Sequence, residues 1–85
     1  PPTASGPEAA RVEQALRDWR KQRSAADGVP AYVVINDRHL VGIAERRPAT
    51  TRELAACPGI GPAKLAAYGD EILALVADVT AGPAG

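Results

Sequence analysis

A group of basic side chains in the first half of this 85-residue chain lies close in sequence to an aromatic residue, Tyr32. The cations of the group are Arg17, Arg20, Lys21, Arg23 and, across a loop, Arg38. Cations bind phosphates and an aromatic ring can stack on a base, so the group could form a surface for a single-stranded nucleic acid. The alternative is a solvated helix face beside a Tyr32 side chain that fills the core. The sequence leaves both interpretations open.

A glycine-rich turn in the second half is the other feature that could bind an anion. Residues 58–62 read Pro-Gly-Ile-Gly-Pro between two helical segments, and Lys64 follows. The glycines allow backbone angles that other residues avoid, and we expect Ile60 between them to point into the core. The unpaired amides at the start of the next helix could bind a phosphate, as in a helix-hairpin-helix contact. A tight interhelical turn without a ligand is the alternative.

Patterns that mark catalytic and metal sites are missing from the chain. It has no GxxxxGK(S/T) phosphate-binding loop, no CxxC pair and no HExxH motif. His39 has no partner in the sequence that would make it a general base, and we expect it to be an exposed helix residue. Cys57, at a helix end, is expected to be a small buried apolar residue. We therefore predict no catalytic residue, no metal site and no cofactor in this chain.

Charge is balanced over the whole chain but not along it. Ten basic residues stand against ten acidic ones, so the formal net charge is zero. Residues 11–52 contain nine basic and five acidic side chains, whereas the rest of the chain has one basic residue, Lys64, and five acidic ones. A neutral chain can still present a positive face. Acidic Asp70, Glu71 and Asp78 in the last segment nevertheless argue against tight binding to a nucleic acid.

The two ends have the composition of linkers. Residues 1–7 (PPTASGP) and 81–85 (AGPAG) are rich in Pro, Gly and Ala, so we expect a flexible linker, one domain over residues 8–80 and a flexible tail. No apolar run reaches the length of about 18 residues typical of a membrane span, and we expect no signal peptide. The single Cys57 favours a reducing compartment. The expected protein is cytoplasmic and makes no membrane contact.

Apolar spacing predicts three helices before Pro48. Hydrophobic residues recur at helical intervals over residues 8–26, and Gly28 is expected to end this first helix. The apolar run 31–35 favours a strand by propensity. Because no other segment could pair with it, we predict a buried helical turn with Pro30 near its first position. Asn36 or Asp37 is expected to cap the third helix.

Two more helices are predicted after Pro48. Thr50 and Glu53 fit a capping box at the start of a short fourth helix. Pro62 is expected at the first position of the last helix, with a kink or a break at Gly69. The predicted fold is therefore all-α, a compact five-helix bundle with a helix-hairpin-helix-like glycine turn.

Six segments resemble, in order and spacing, the HRDC family (helicase and RNase D C-terminal domain) across residues 11–79. They are LRDWR (16–20), VPAYVV (29–34), NDRHLVGIA (36–44), PATTREL (48–54), PGIGPAKL (58–65) and YGDEIL (68–73). The resemblance implies a five-helix accessory domain of RecQ-like or UvrD-like helicases, or of RNase D-type exonucleases. It also implies that Tyr32 and the cluster of cations on the first helix match the positions with which family members contact DNA.

The expected function is that of an accessory domain of a bacterial ATP-dependent DNA helicase acting in DNA repair or recombination. The domain would weakly engage single-stranded or structured DNA, without catalysis of its own, as a nucleoid-associated monomer. ATP and Mg²⁺ would bind in motor domains of the parent protein. The alternatives are a module that docks onto the helicase core or another protein, and an RNA-binding domain of an RNase D-type exonuclease. The segments VPAYVVIND and PGIGPAKLAAYG are most similar to the helicase members.

Overall fold

The computed structural model describes residues 5–81, and every regular element in that range is a helix. In chain order, the helices are α1 (Pro7–Asp27), α2 (Ala31–Val34), α3 (Asp37–Arg46), α4 (Thr51–Ala55) and α5 (Pro62–Ala81). The prediction of an all-α five-helix bundle is confirmed. Residues 1–4 and 82–85, which make up most of the predicted linker and tail, lie outside the described residues.

The end of α1 and the starts of α2 and α3 lie at the residues predicted from capping chemistry. Gly28 follows α1 in the left-handed conformation (φ 68°), and its N–H donates to the Ser24 carbonyl. Pro30 is the N-cap of α2, one residue before the helix begins. Asn36 caps α3 by accepting a 2.8 Å hydrogen bond from the His39 N–H. Residues 31–34 therefore form a helical turn, as predicted, although its burial is only partial.

Helix α4 begins with the predicted capping box. The Thr50 hydroxyl accepts a 3.1 Å hydrogen bond from the Glu53 N–H. The Glu53 carboxylate reaches back in turn, but it accepts from the N–H of Ala49 (2.7 Å), one residue before the N-cap. Both hydrogen bonds satisfy backbone N–H groups at the start of α4 that have no partner within the helix.

Helix α5 begins at Pro62, as predicted, and continues through Gly69, so of the predicted kink or break the break is wrong. Gly69 is buried, and a Cβ added there would lie 3.3 Å from Leu65 Cδ1 and 3.8 Å from Leu54 Cδ2. The tight approach is to Leu65, one turn earlier on α5, while the distance to Leu54 of α4 is that of an ordinary van der Waals contact. Gly69 does not mark an interruption of the helix.

Helix α1 is the centre of the bundle, because α2, α3 and α5 all pack against it, while α4 packs against α5. Small aliphatic side chains fill the space between these helices. The buried cluster comprises Val12, Leu16, Val34, Ile35, Leu40, Ile43, Ala44, Leu54, Cys57, Ile60, Ile72 and Val76. Ile60 is 7% exposed, which confirms that the middle residue of the glycine turn points inward.

Candidate nucleic-acid interface

The single turn of α2 divides its side chains between the core and solvent. Val34 and Ile35 are buried, whereas Tyr32 is 71% exposed and Val33 is 44% exposed. The expectation that the whole turn is buried is therefore wrong for its first three residues, Ala31, Tyr32 and Val33. The alternative in which Tyr32 fills the core is also excluded, because its ring faces solvent. The reason is geometric: a four-residue turn lying on α1 can direct only one side inward.

The backbone of this turn is tied to two other helices by cations. The Lys64 ammonium, in the first turn of α5, donates to the carbonyls of Val33 (3.0 Å) and Val34 (2.8 Å). The Arg20 guanidinium, from α1, donates to the carbonyl of Ile35 (2.9 Å). A helix leaves its last carbonyls without an intrahelical partner, and here three successive carbonyls are satisfied by positive side chains.

Arg17 and Arg20 share one carboxylate at the start of α3. Asp37 Oδ1 lies 2.9 Å from Arg20 Nη1 and 3.3 Å from Arg17 Nη1. The hydrogen bond from Arg20 holds the pKa of Asp37 below its usual value. Arg17 also lies 2.8 Å from the buried Glu13 carboxylate, and the hydrogen bond to Glu13 raises the pKa of Arg17. These two predicted phosphate contacts are thus engaged with acidic side chains of the same chain.

Arg23 belongs to an aromatic cluster between α1 and α5. Its guanidinium lies 5.3 Å from the centre of the Tyr68 ring and 3.3 Å from the Asp27 carboxylate. The Tyr68 hydroxyl donates to Asp27 (3.2 Å), and the Trp19 ring meets Tyr68 edge-to-face at 5.5 Å. The Trp19 indole N–H donates to Glu71 (2.9 Å). Burial raises the pKa of Tyr68, and the hydrogen bond to Asp27 raises it further. These contacts stabilise the packing of α1 against α5.

Lys21 and Arg38 differ from the other predicted cations. Both side chains are exposed, and neither makes an ion pair with another residue of the range 5–81. Each follows a member of the network around α2, Lys21 after Arg20 and Arg38 after Asp37. Among residues 5–81, these two predicted cations are therefore exposed and have no ion pair that a phosphate would have to replace.

Part of this pairing was visible in the sequence. Glu13 and Arg17, like Arg23 and Asp27, are four residues apart on one helix, a spacing that favours ion pairs. The contacts of Arg20 with Asp37 and of Lys64 with α2 join separate helices, and local spacing carries no signal for them.

The glycine turn is packed against α3. Gly59 has a φ of 82°, and a Cβ added there would collide with the His39 ring. His39 is half-buried by this contact, so the expectation of a fully exposed histidine is wrong. The following residues, Gly61 and Pro62, are exposed at the start of α5. Phosphate binding by the amides of this helix end stays a prediction.

Cys57, just before the turn, is 3% exposed, as predicted, and its thiol lies 3.6 Å from the Glu53 carbonyl oxygen. Burial raises the pKa of the thiol. A buried, protonated thiol is a poor nucleophile.

An open depression lies at the opposite end of α3 from Asp37. It is lined by Arg46, Arg47, Pro48, Ala49, Glu53 and Ala56. Arg47 is held there by Glu8, whose Oε1 lies 3.1 Å from Arg47 Nε. Since α3 has 10 residues, it separates this depression from the Tyr32 turn by about 15 Å. The depression is therefore distinct from the interface built around Tyr32.

None of the helices between residues 5 and 81 has the length and apolarity needed to cross a membrane.

Comparison with known proteins gives a consistent result. The family model "HRDC domain" matches residues 9–76. The chain is 46% identical over 61 residues to the ATP-dependent DNA helicase UvrD2 of Mycobacterium tuberculosis, which covers 72% of this chain and 9% of that protein. It is 33% identical over 61 residues to the ATP-dependent DNA helicase RecQ of Pasteurella multocida, which covers 72% of this chain and 10% of that protein. The chain thus spans about a tenth of the length of these curated relatives.

The structural comparison extends over almost the whole domain. The solved D. radiodurans RecQ HRDC domain 3 superposes with a TM-score of 0.84 at 36% sequence identity, covering 87% of this chain and 97% of that one. The agreement of fold, sequence and family model over the same residues leads to one conclusion: the chain belongs to the HRDC domain family.

Proposed function

We propose that this domain is an accessory nucleic-acid-binding module of a bacterial ATP-dependent DNA helicase, weakly engaging single-stranded or structured DNA. The observation that supports it best is Tyr32, whose ring is 71% exposed on a backbone turn tied to α1 and α5. A backbone that is already ordered loses little conformational entropy on binding, which favours stacking by the side chain it carries. Stacking on one base is worth about 1–3 kcal/mol.

Weak binding follows from the charge pairing. For a single strand, each neutralised phosphate contributes about −0.7 to the slope of log affinity against log salt concentration. If Lys21 and Arg38 alone contact phosphates, the slope is about −1.4, whereas the seven predicted contacts include six cations and would give about −4. Arg17, Arg20, Arg23 and Lys64 would have to leave their present partners to reach the larger value.

The parent protein in this proposal is a helicase of the RecQ or UvrD type that acts in DNA repair or recombination in the bacterial cytoplasm. The relatives reported above carry helicase names, which supports a helicase parent over an RNase D-type exonuclease. Catalysis, with ATP and Mg²⁺, takes place in motor domains outside this chain. The domain contributes a contact to the DNA on which those motors act.

A titration of fluorescently labelled oligothymidylate at low salt tests the proposal. Tyr32→Ala is expected to weaken binding by about 5- to 150-fold, the equivalent of one stacked base. As a separate variant, Lys21→Glu is also expected to weaken binding. Arg46→Glu, the same charge reversal at the far end of α3, is its matched control. Equal losses for Lys21→Glu and Arg46→Glu, together with no loss for Tyr32→Ala, would show that any binding is nonspecific.

Docking onto the helicase core is the second candidate function, and exposed Val33 is the observation that favours it. An apolar side chain that is 44% exposed next to Tyr32 adds nothing to phosphate binding, but it suits a protein contact. Val33→Ser separates the two functions. The substitution is expected to leave oligothymidylate affinity within about twofold if the surface binds DNA, and to release the domain from the helicase core if it docks there.

A further inference from the structure

The turn that carries Tyr32 cannot hold its own conformation. It is four residues long, and a single helical turn in isolation is unstable because nucleation costs more than one hydrogen bond returns. Tyr32 and Val33 face solvent, so only Val34 within the helix anchors it by burial. Beyond the burial of Val34 and Ile35 and the packing on α1, its geometry is supported by hydrogen bonds to its last carbonyls.

Lys64 supplies two of those contacts from the first turn of α5. An ammonium group has three N–H donors, and two of them are used by the carbonyls of Val33 and Val34, at 3.0 and 2.8 Å. Charge-assisted hydrogen bonds of this kind are about twice as strong as neutral ones. A movement of Lys64 to a phosphate would leave both carbonyls without this partner.

Arg20 completes the arrangement from the opposite side. It donates to the carbonyl of Ile35, and its guanidinium is held by Asp37 at 2.9 Å. Its side chain is 12% exposed, far less than expected of a phosphate contact. Two cations, Arg20 from α1 and Lys64 from α5, thus donate hydrogen bonds to the carbonyls at the end of the turn.

We propose that Lys64 is a positioning residue, which fixes the Tyr32 turn from the start of α5 and supports nucleic-acid binding through the orientation of that turn. The inference rests on the proposed function and deepens it. It also joins two features that are separate in the sequence. The Gly59–Gly61 turn sets where α5 begins, the start of α5 places Lys64, and Lys64 holds the backbone that presents Tyr32.

The test compares two variants with the same chemical change. Lys64→Met and Lys21→Met each keep an unbranched side chain and remove the ammonium, at a half-buried and at an exposed position. Oligothymidylate binding is measured with the full chain over a salt series. Lys21→Met is expected to reduce the salt slope by about 0.7, as for one lost phosphate contact. Lys64→Met is expected to weaken binding by about 5- to 150-fold, as the loss of one stacked base does, with the slope unchanged.

A double variant separates positioning from direct contact. Because Lys64 acts through Tyr32, Lys64→Met in a Tyr32→Ala background is expected to cause little further loss of affinity. Additive losses with a reduced salt slope would overturn the proposal. Lys64→Arg is the conservative variant: it keeps the charge and has N–H donors for both carbonyls, so its affinity should lie closer to that of the wild type than the affinity of Lys64→Met does.

A measurement without nucleic acid keeps the two proposals distinguishable. Backbone amide resonances of residues 31–36 are expected to shift, and their hydrogen exchange to accelerate, in Lys64→Met but not in Lys21→Met. Resonances of the buried Leu16 and Ile43 report whether the variant remains folded. If the wild-type chain does not bind oligothymidylate, the proposed function fails, while these resonances still decide whether Lys64 holds the turn. Unchanged resonances in a folded Lys64→Met variant would overturn the inference.

Discussion

Replacement of Gly59 by alanine should destabilise the domain for two separable reasons. The residue has a φ of 82°, in the left-handed region, and a residue with a Cβ loses about 1–2 kcal/mol there. The new Cβ would also collide with the His39 ring, which has to move away from its present rotamer. An off-rotamer side chain costs about 0.5–1.5 kcal/mol. The expected loss for Gly59→Ala is therefore about 1.5–3.5 kcal/mol.

Two other glycines provide matched controls for this experiment. Gly28 has a φ of 68°, and a Cβ added there meets no other described atom within 4 Å, so Gly28→Ala measures the backbone effect alone. Gly61 has neither a positive φ nor a close neighbour among the described residues, and Gly61→Ala should be nearly neutral. A domain of this size loses about 4–8 °C in Tm for each kcal/mol. Gly59→Ala should thus lower Tm by about 6–28 °C, and Gly28→Ala by about 4–16 °C.

Thermal unfolding followed by circular dichroism measures these changes, and a double-mutant cycle isolates the collision. In a His39→Ala background the loss caused by Gly59→Ala should fall to that of Gly28→Ala. If Gly59→Ala and Gly28→Ala are equally destabilising in the wild-type background, the His39 contact has no energetic importance. If Gly61→Ala is as harmful as Gly59→Ala, the explanation from backbone conformation is wrong.

Three further predictions concern charged and titratable groups. Arg20 lowers the pKa of Asp37 below 3.8, so the carboxylate stabilises the fold above that pH and loses this effect as the pH falls through the lowered pKa. In urea unfolding, the difference in stability between wild type and Asp37→Asn should therefore vanish in acid. Burial raises the pKa of Cys57, so in the native state the thiol should react with Ellman's reagent far more slowly than in urea, and stability should fall as the pH rises past 9.0. Arg47 has a φ of 48°, so Arg47→Gly should stabilise a Glu8→Ala variant by up to about 1 kcal/mol in thermal unfolding, since the Glu8 ion pair is then already absent.

Features set by local chemistry were predictable from the sequence. The caps at Gly28, Asn36 and Thr50 depend on residues within one turn of each helix end, and the structure confirms all three. Gly69 shows where local reasoning fails. A glycine inside a helix suggests an interruption when its own segment is read alone, but here α5 continues through a buried Gly69 that lies against Leu65 and Leu54.

The candidate interface was predictable in composition but not in arrangement. The sequence identifies Tyr32 and the basic residues around it, yet it could not decide whether the ring faces the core or solvent. That choice depends on how α2 lies on α1, a tertiary property. The number of cations was also misleading as a measure of positive charge, because Asp37 and Glu71 come from distant segments and compensate charges on α1.

If the domain binds DNA as proposed, the same ion pairs limit how tightly it can do so. To give Arg20 to a phosphate, the chain would have to break its contact with Asp37 and release the Ile35 carbonyl, which loosens the turn that presents Tyr32. More phosphate contacts would therefore weaken the stacking contact, and the affinity of the isolated domain stays low. Under the proposed function low affinity would suffice, because a short flexible linker to a DNA-bound motor would provide an effective concentration on the order of millimolar. A module of that kind would bind DNA appreciably only where its parent is already bound, and so would add a contact without holding the parent in place.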